Sequence, residues 1–195
     1  STARALVAKG KGIPAADESA PTIEKRFKTI GVASTDENRR AYRQLLFTTE
    51  GMEQFISGVI LFDETIRQRA DDGRPFARVL ADRGVIPGIK VDRGAKQLAG
   101  FAGEKVTEGL DGLRDLLAEY RDMGARFAKW RAVIAIGDGI PSRACIGANA
   151  HALARYASLC QEAGLVPIVE PEVLMDGNHT IERCAQVTGG TLRAV

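Results

Sequence analysis

Three apolar runs in this chain end in ionisable residues two positions apart: Lys90 and Asp92, Lys129 and Arg131, and Glu170 and Glu172. Asp17 and Ser19 make a looser fourth case. On a β-strand, residues i and i+2 face the same side, so each run would carry its pair to one face at its C-terminal end. Cations and hydroxyls fixed there would bind phosphate esters, and the carboxylates would move protons. Isoleucine, valine, alanine and glycine feed these runs, so the charges are costly to bury without partners or a ligand. Exposed strand ends account for one such pair easily and for four of them poorly.

Lys129 shares its strand face with Arg131 and would have Lys90 on the adjacent strand. A lysine beside other cations is expected to have a lowered pKa, which makes it a better acid, base or amine nucleophile. Its alternative is an ion-paired lysine–glutamate network without a catalytic role. Arg26 and Arg39 in the N-terminal third, with Ser19 and Thr22, add further candidate phosphate contacts, whereas Lys25 and Arg40 read as solvated helix face. The natural inference is a phosphorylated substrate.

The elements that must position these residues follow from periodicity. Strands are predicted near 12–17, 58–62, 87–92, 126–131 and 166–171. Between them lie mostly amphipathic helices, clearest over Glu37 to Thr48, Gly109 to Asp122 and Ala148 to Ala163. Alternating strands and helices imply a parallel α/β architecture. A helical stretch from His179 onward contains Gly189-Gly190, where each glycine costs about 1 kcal/mol relative to alanine, so either the helix breaks there or the stretch departs from the natural sequence. Candidate strands begin roughly 30 to 45 residues apart, and an eight-stranded barrel takes about 250 residues, so five strands would be part of such a barrel.

Composition narrows the classes. With 27 basic and 25 acidic residues and a formal charge of +2, the chain has no long basic run, which argues against nucleic acid as a partner. No apolar stretch approaches the roughly 20 residues of a membrane span. Cys145, Cys160 and Cys184 are odd in number and widely spaced, which predicts reduced, mostly buried thiols and a cytoplasmic setting. The two histidines, His151 and His179, fall in or beside helical segments and not at strand ends, so no metal site is expected.

At these residues the chain resembles the class I, Schiff-base fructose-bisphosphate aldolases. The likeness runs through Lys11-Gly12-Ile13-Pro14-Ala15-Ala16-Asp17-Glu18-Ser19, Glu37-Asn38-Arg39-Arg40-Ala41-Tyr42-Arg43, Gly58-Val59-Ile60-Leu61-Phe62-Asp63-Glu64-Thr65 and Ala70-Asp71-Asp72-Gly73-Arg74-Pro75-Phe76. It continues through Gly88 to Asp92, Phe127 to Arg131 and Pro167 to Glu172. The resemblance implies a (β/α)8 TIM barrel of which this chain supplies about the first five strands, residues 1–195 forming one catalytic domain, incomplete at its C-terminus. It also implies a cytoplasmic homotetramer without metal or cofactor that cleaves fructose 1,6-bisphosphate to dihydroxyacetone phosphate and glyceraldehyde 3-phosphate.

Position by position, Asp17 matches the carboxylate that assists carbon–carbon cleavage, Glu170 the general acid/base and Lys129 the lysine of carbinolamine chemistry. Glu172, Lys90 and Arg131 complete the polar site, and Ser19, Arg26 and Arg39 match substrate or phosphate contacts. The Schiff-base lysine belongs to the sixth strand, beyond Val195. Two departures stand out. Ala20-Pro21-Thr22 replaces a stretch usually carrying threonine, glycine and serine, so Thr22 could supply the hydroxyl, and Pro14 stands where an aliphatic residue is usual. The alternative is a non-catalytic partial barrel that binds phosphate or serves as an interaction module.

Overall fold

The computed structural model describes residues 1–195. Seven strands form: β1 (Ala15–Ala16), β2 (Gly58–Leu61), β3 (Ile86–Lys90), β4 (Ala95–Gln97), β5 (Lys105–Thr107), β6 (Phe127–Ile134) and β7 (Val166–Val173). Eight helices accompany them: α1 (Thr2–Leu6), α2 (Ala20–Lys28), α3 (Asp36–Thr48), α4 (Asp63–Arg67), α5 (Phe76–Asp82), α6 (Leu113–Asp122), α7 (Arg143–Glu162) and α8 (Ile181–Ala194). No helix is long and apolar enough to cross a membrane.

Five strands pair in parallel in the order β1-β2-β3-β6-β7, while β4 and β5 form a separate antiparallel hairpin. The order never reverses, as it would in a doubly wound sheet. Each strand instead lies beside its predecessor in the sheet, which curls into half of a barrel. The two faces of the sheet then differ in kind. Val59, Leu61, Ile89, Val91, Ala128, Trp130 and Ala132 are buried with Phe76, Leu80, Leu117, Leu153 and Tyr156 of the helices in the main hydrophobic core. Alternate residues turn to the concave side, where Ile60, Phe127 and Leu6 pack with Ile13, Ile86, Val166 and Ile168 as an apolar floor.

That floor explains two glycines inside strands. A Cβ on Gly88 would stand 2.2 Å from the Phe127 ring, and one on Gly58 would stand 2.7 Å from Leu6 Cδ2. The Phe127 ring thus occupies the space that side chains at both positions would need. Above it along the same face come Lys129, Arg131 and Val133 on β6, aligned with Ile168, Glu170 and Glu172 on β7.

The five expected strands are all present, with shifted ends. The first is shortest: Gly12 makes only an isolated bridge to Ile56 and pairing resumes at Ala15, because Pro14 between them has no N–H to give. The helix expected from Gly109 begins at Leu113, after Gly109 and Gly112 at positive φ. The one expected from Ala148 begins five residues earlier, where Ser142 accepts a capping bond from the Cys145 N–H. Two expectations are corrected. The segment after β3 holds a hairpin and not only helix, and α8 runs unbroken through Gly189 and Gly190, so tertiary packing outweighs their poor propensity.

Cys145, Cys160 and Cys184 are all unpaired, and the first two are buried in α7. Burial pushes the Cys145 thiol up to about 11 and the Cys160 thiol up to about 12. Both stay protonated, and hence poor nucleophiles, near neutral pH. Alkylation under native conditions should therefore mark the peptide carrying Cys184 well before those carrying Cys145 and Cys160, as read by mass spectrometry. Separately, Gly88→Ala should lower stability by about 1–3 kcal/mol through overpacking against Phe127. Gly190→Ala, whose Cβ would meet nothing within 4 Å, should raise stability by up to about 1 kcal/mol. Denaturant melts compare the two.

Candidate active site

Lys129 is the most constrained charge on the concave face. Its ammonium lies 3.4 Å from Asp17 Oδ2 and 3.2 Å from Glu170 Oε2, joining the end of β1 to the inner faces of β6 and β7, which run on past the expected strand ends to Ile134 and Val173. Asp17 is buried and Glu170 half-buried. Burial pulls the Lys129 pKa down, but the charges and hydrogen bonds of Asp17 and Glu170 together more than reverse it, leaving it above the usual lysine value. The expectation of a lowered pKa is thus corrected. Lys129 and Lys90 are aligned on neighbouring strands, yet each ammonium is drawn to carboxylates of its own.

Lys90 Nζ donates to Asp92 Oδ1 at 2.7 Å and to the Asp92 carbonyl at 2.8 Å. Arg131, opposite Glu170 in the β6–β7 register, reaches one step further to pair with Glu172, and Lys129, opposite Ile168, reaches Glu170 in the same way. The hydrogen bond to Glu172 strengthens the hold of Arg131 on its proton.

Asp17, Ser19, Lys90, Lys129 and Arg131 line one cleft of about 320 Å³, together with Glu18, Thr22, Asp92 and Gly94. A neighbouring hollow of about 470 Å³, reaching Asp63, Arg67 and Tyr120, shares Ser19, Lys90, Asp92 and Gly94 with it. Ser19 caps α2 without a side-chain capping bond, and its hydroxyl instead lies 3.2 Å from that of Thr22. Thr22 therefore puts a second hydroxyl beside Ser19 despite the altered Ala20-Pro21-Thr22 stretch.

A larger hollow, about 600 Å³, is elsewhere, on the outer surface between α6 and α7. There Arg114 and Glu162 neutralise each other and are both more than half exposed. Several ionisable groups with little exposure converge on the concave face, and that convergence, not volume, marks the stronger candidate.

Four of the residues singled out from sequence do not line the cleft: Glu170 and Glu172 stand behind it as partners of Lys129 and Arg131, and Arg26 and Arg39 turn elsewhere. Arg39 is held by Glu64 at 2.8 Å, by Asp36 and by the Ser34 carbonyl. Arg26 extends from the exposed face of α2 to pair with Glu18, whose other oxygen binds Arg43. Arg40 is more than a solvated charge, since it joins α3 to Asp71. Among the residues the sequence reading passed over, Arg43 matters most. It is only 2% exposed, donates to Glu18 Oε2 at 2.5 Å and to the Glu18 carbonyl at 3.0 Å, and so anchors the segment between Asp17 and Ser19. An arginine four residues before buried Phe47, on the same helix face, was the available signal, because arginine is rarely buried without a partner.

The match to known proteins is as extensive as this geometry suggests. The family model described as glycolytic fructose-bisphosphate aldolase class-I matches residues 1–195. This chain belongs to the class I fructose-bisphosphate aldolase family. It is 67% identical over 194 residues to the probable fructose-bisphosphate aldolase class 1 of Xanthomonas campestris pv. campestris, covering all of this chain and 58% of that protein. It is 58% identical over 185 residues to cytosolic fructose-bisphosphate aldolase 4 of Arabidopsis thaliana, covering 95% of this chain and 47% of the relative. The aldolase of Plasmodium falciparum, solved in complex with TRAP and a small-molecule inhibitor, superposes with a TM-score of 0.97 at 52% identity. That match covers all of this chain and 56% of the Plasmodium chain. The chain thus spans about half the length of these aldolases, and the curled five-stranded sheet is a partial TIM barrel.

Arg43 is buried and the Glu18 side chain nearly so, and removing Arg43 strands the Glu18 carbonyl and one carboxylate oxygen, leaving only the exposed Arg26 as partner. Arg43→Met should therefore destabilise the aldolase fold by about 2–4 kcal/mol. Arg114→Met, which breaks an exposed pair, should cost less than about 1 kcal/mol. Thermal melts of the two variants test the difference.

Proposed function

We propose that residues 1–195 are part of a single catalytic domain, a barrel that reversibly cleaves fructose 1,6-bisphosphate to dihydroxyacetone phosphate and glyceraldehyde 3-phosphate through a lysine Schiff base. The observation that carries this reading is Lys129, a charged ammonium held between Asp17 and Glu170 on the concave face, level with the C-terminal ends of β1 and β3. The amine nucleophile, as the family implies, comes from a strand outside residues 1–195.

Proton movement is the work of this chain's own residues. Lys129 enters the reaction protonated, which suits it to give a proton to a hydroxyl leaving the substrate carbon and to stabilise negative charge forming there. Glu170, in contact with it, exchanges that proton and restores the ammonium. Asp17, on the other side of Lys129, takes the hydroxyl proton of the sugar as the carbon–carbon bond breaks. Lys90 and Arg131 hold phosphate by charge and hydrogen bonds, with Ser19 and Thr22 adding hydroxyls, and Glu172 orients the Arg131 guanidinium. Arg26 and Arg39 are substrate contacts in this reading only if bound substrate draws them from their present carboxylates.

The family resemblance also supports a homotetramer acting in the cytoplasm, where the Arabidopsis relative's name places that protein. Light scattering of the purified protein reads its assembly state. Nothing among the relatives favours a non-catalytic module.

Lys129→Met and Glu170→Gln in the full-length enzyme should each lower kcat at least ~100-fold with the circular dichroism spectrum unchanged, since a positioned proton donor contributes 10²–10⁴. Near-normal turnover would return these residues to a purely structural ion network. No three His, Cys, Asp or Glu side chains in this chain are placed to hold a metal ion, and an iminium supplies the electron sink, so activity should survive EDTA. Borohydride reduction with dihydroxyacetone phosphate should trap an adduct on a lysine other than Lys129, located by peptide mass spectrometry.

A further inference from the structure

β6 is longer than the strand beside it. β3 pairs with β6 only from Gly88–Phe127 to Lys90–Lys129, with one more bond from the Val91 N–H to the Lys129 carbonyl. Beyond that point β3 turns away, and β6 continues to Ile134 with β7 alone as its ladder partner. The backbone groups of Arg131 that face the departed strand must be satisfied some other way.

Two side chains do so. Asp92 Oδ2 accepts from the Arg131 N–H at 3.2 Å, and the Thr107 hydroxyl donates to the Arg131 carbonyl at 2.9 Å. Both residues are buried, and neither is a strand neighbour of Arg131. Asp92 is also fixed from its other side, since Oδ1 accepts from Lys90 Nζ and from the Gly94 N–H at 3.0 Å. Thr107 is fixed through Asn149 of α7, itself 2% exposed, whose Oδ1 accepts from the Thr107 N–H at 3.1 Å. The Asn149 amide donates to the Lys105 carbonyl at 2.9 Å and to the Cys145 carbonyl at 3.0 Å. The β4–β5 hairpin is docked on α7 a second time, where buried Glu104 accepts from the Ser142 N–H. A chain of buried hydrogen bonds thus runs from α7 through the hairpin to the peptide of a single arginine.

We infer that Asp92 and the Thr107–Asn149 pair are positioning residues that set the height and direction of Arg131, and with it Lys90, over the strand-end cleft. This rests on the proposed role of Arg131 in holding substrate phosphate. The hairpin replaces a strand by side chains, so β3 can diverge and open the cleft between Lys90, Lys129 and Arg131 without leaving β6 frayed. An arginine whose peptide is held on both sides spends less freedom on gripping an anion. Loss of the hold should therefore weaken binding of substrate and transition state together, which raises KM and spares kcat.

The test uses the full-length enzyme with fructose 1,6-bisphosphate. Thr107→Val removes the hydroxyl and keeps the shape. It should raise KM about tenfold, a loss of about 1.4 kcal/mol, while kcat stays within about twofold. Thr107→Ser, which restores the hydroxyl, should return KM to the wild-type value, a rescue that a purely packing role would not produce. Asp92→Asn approaches the same peptide from the other side and should raise KM likewise. If Thr107→Val fails to fold by circular dichroism, the Asp92→Asn result decides. An unchanged KM in a folded Thr107→Val, or in Asp92→Asn where the first does not fold, overturns this inference while the functional reading stands. A wild-type enzyme that does not cleave the bisphosphate overturns both.

Discussion

Lys129 keeps only about a tenth of its side chain exposed and still carries a charge, which is possible because Asp17 and Glu170 both reach its ammonium. An ammonium so enclosed would otherwise lose its proton or move to water. The ion triad therefore makes simultaneous demands on three strands. β1 must end where Asp17 faces inward, β6 must keep Lys129 on the concave face, and β7 must hold its register so that Glu170 stands one diagonal step from Lys129. A one-residue slip of β7 would turn Glu170 and Glu172 to the helix-covered side and leave both Lys129 and Arg131 without their partners.

The apolar floor makes this arrangement affordable. Phe127 lies two residues before Lys129 on the same face, and the missing side chains of Gly58 and Gly88 give its ring room. It lines the bottom of the half-barrel, so that the charges above stand between an apolar floor and the open mouth. Charges at the mouth interact through a lower effective dielectric than they would on an open surface. This is the setting in which fixed cations select a phosphorylated ligand and a proton can pass between neighbouring groups.

Segments with no charge in the cleft sustain it from behind. Arg43 on α3 braces the Asp17-Glu18-Ser19 turn, and Asn149 on α7 braces the hairpin that braces Arg131. Both are polar residues on otherwise apolar helix faces, and both aim their hydrogen bonds at backbone as well as side chains. Such buried polar groups are expensive to satisfy only partly, so each holds a loop in one position.

Much of the concave face was legible without coordinates because side-chain alternation along a strand is a local property. Two-residue spacing was enough to place Lys129 with Arg131, and Glu170 with Glu172, on common faces, and α3, α6 and α7 followed from a local period of 3.6. Local rules could not see the β4–β5 hairpin, whose strands of three residues each owe their place to Asn149 and Ser142 from distant sequence. Nor could they see that Arg39 turns to Glu64 and away from the cleft. The direction of the Lys129 pKa was likewise decided by tertiary structure. Sequence placed two cations near it, but Glu170 reaches its ammonium only once β7 pairs in register, and Asp17, 112 positions away, only when the sheet curls, and electrostatic energy depends on distance in space.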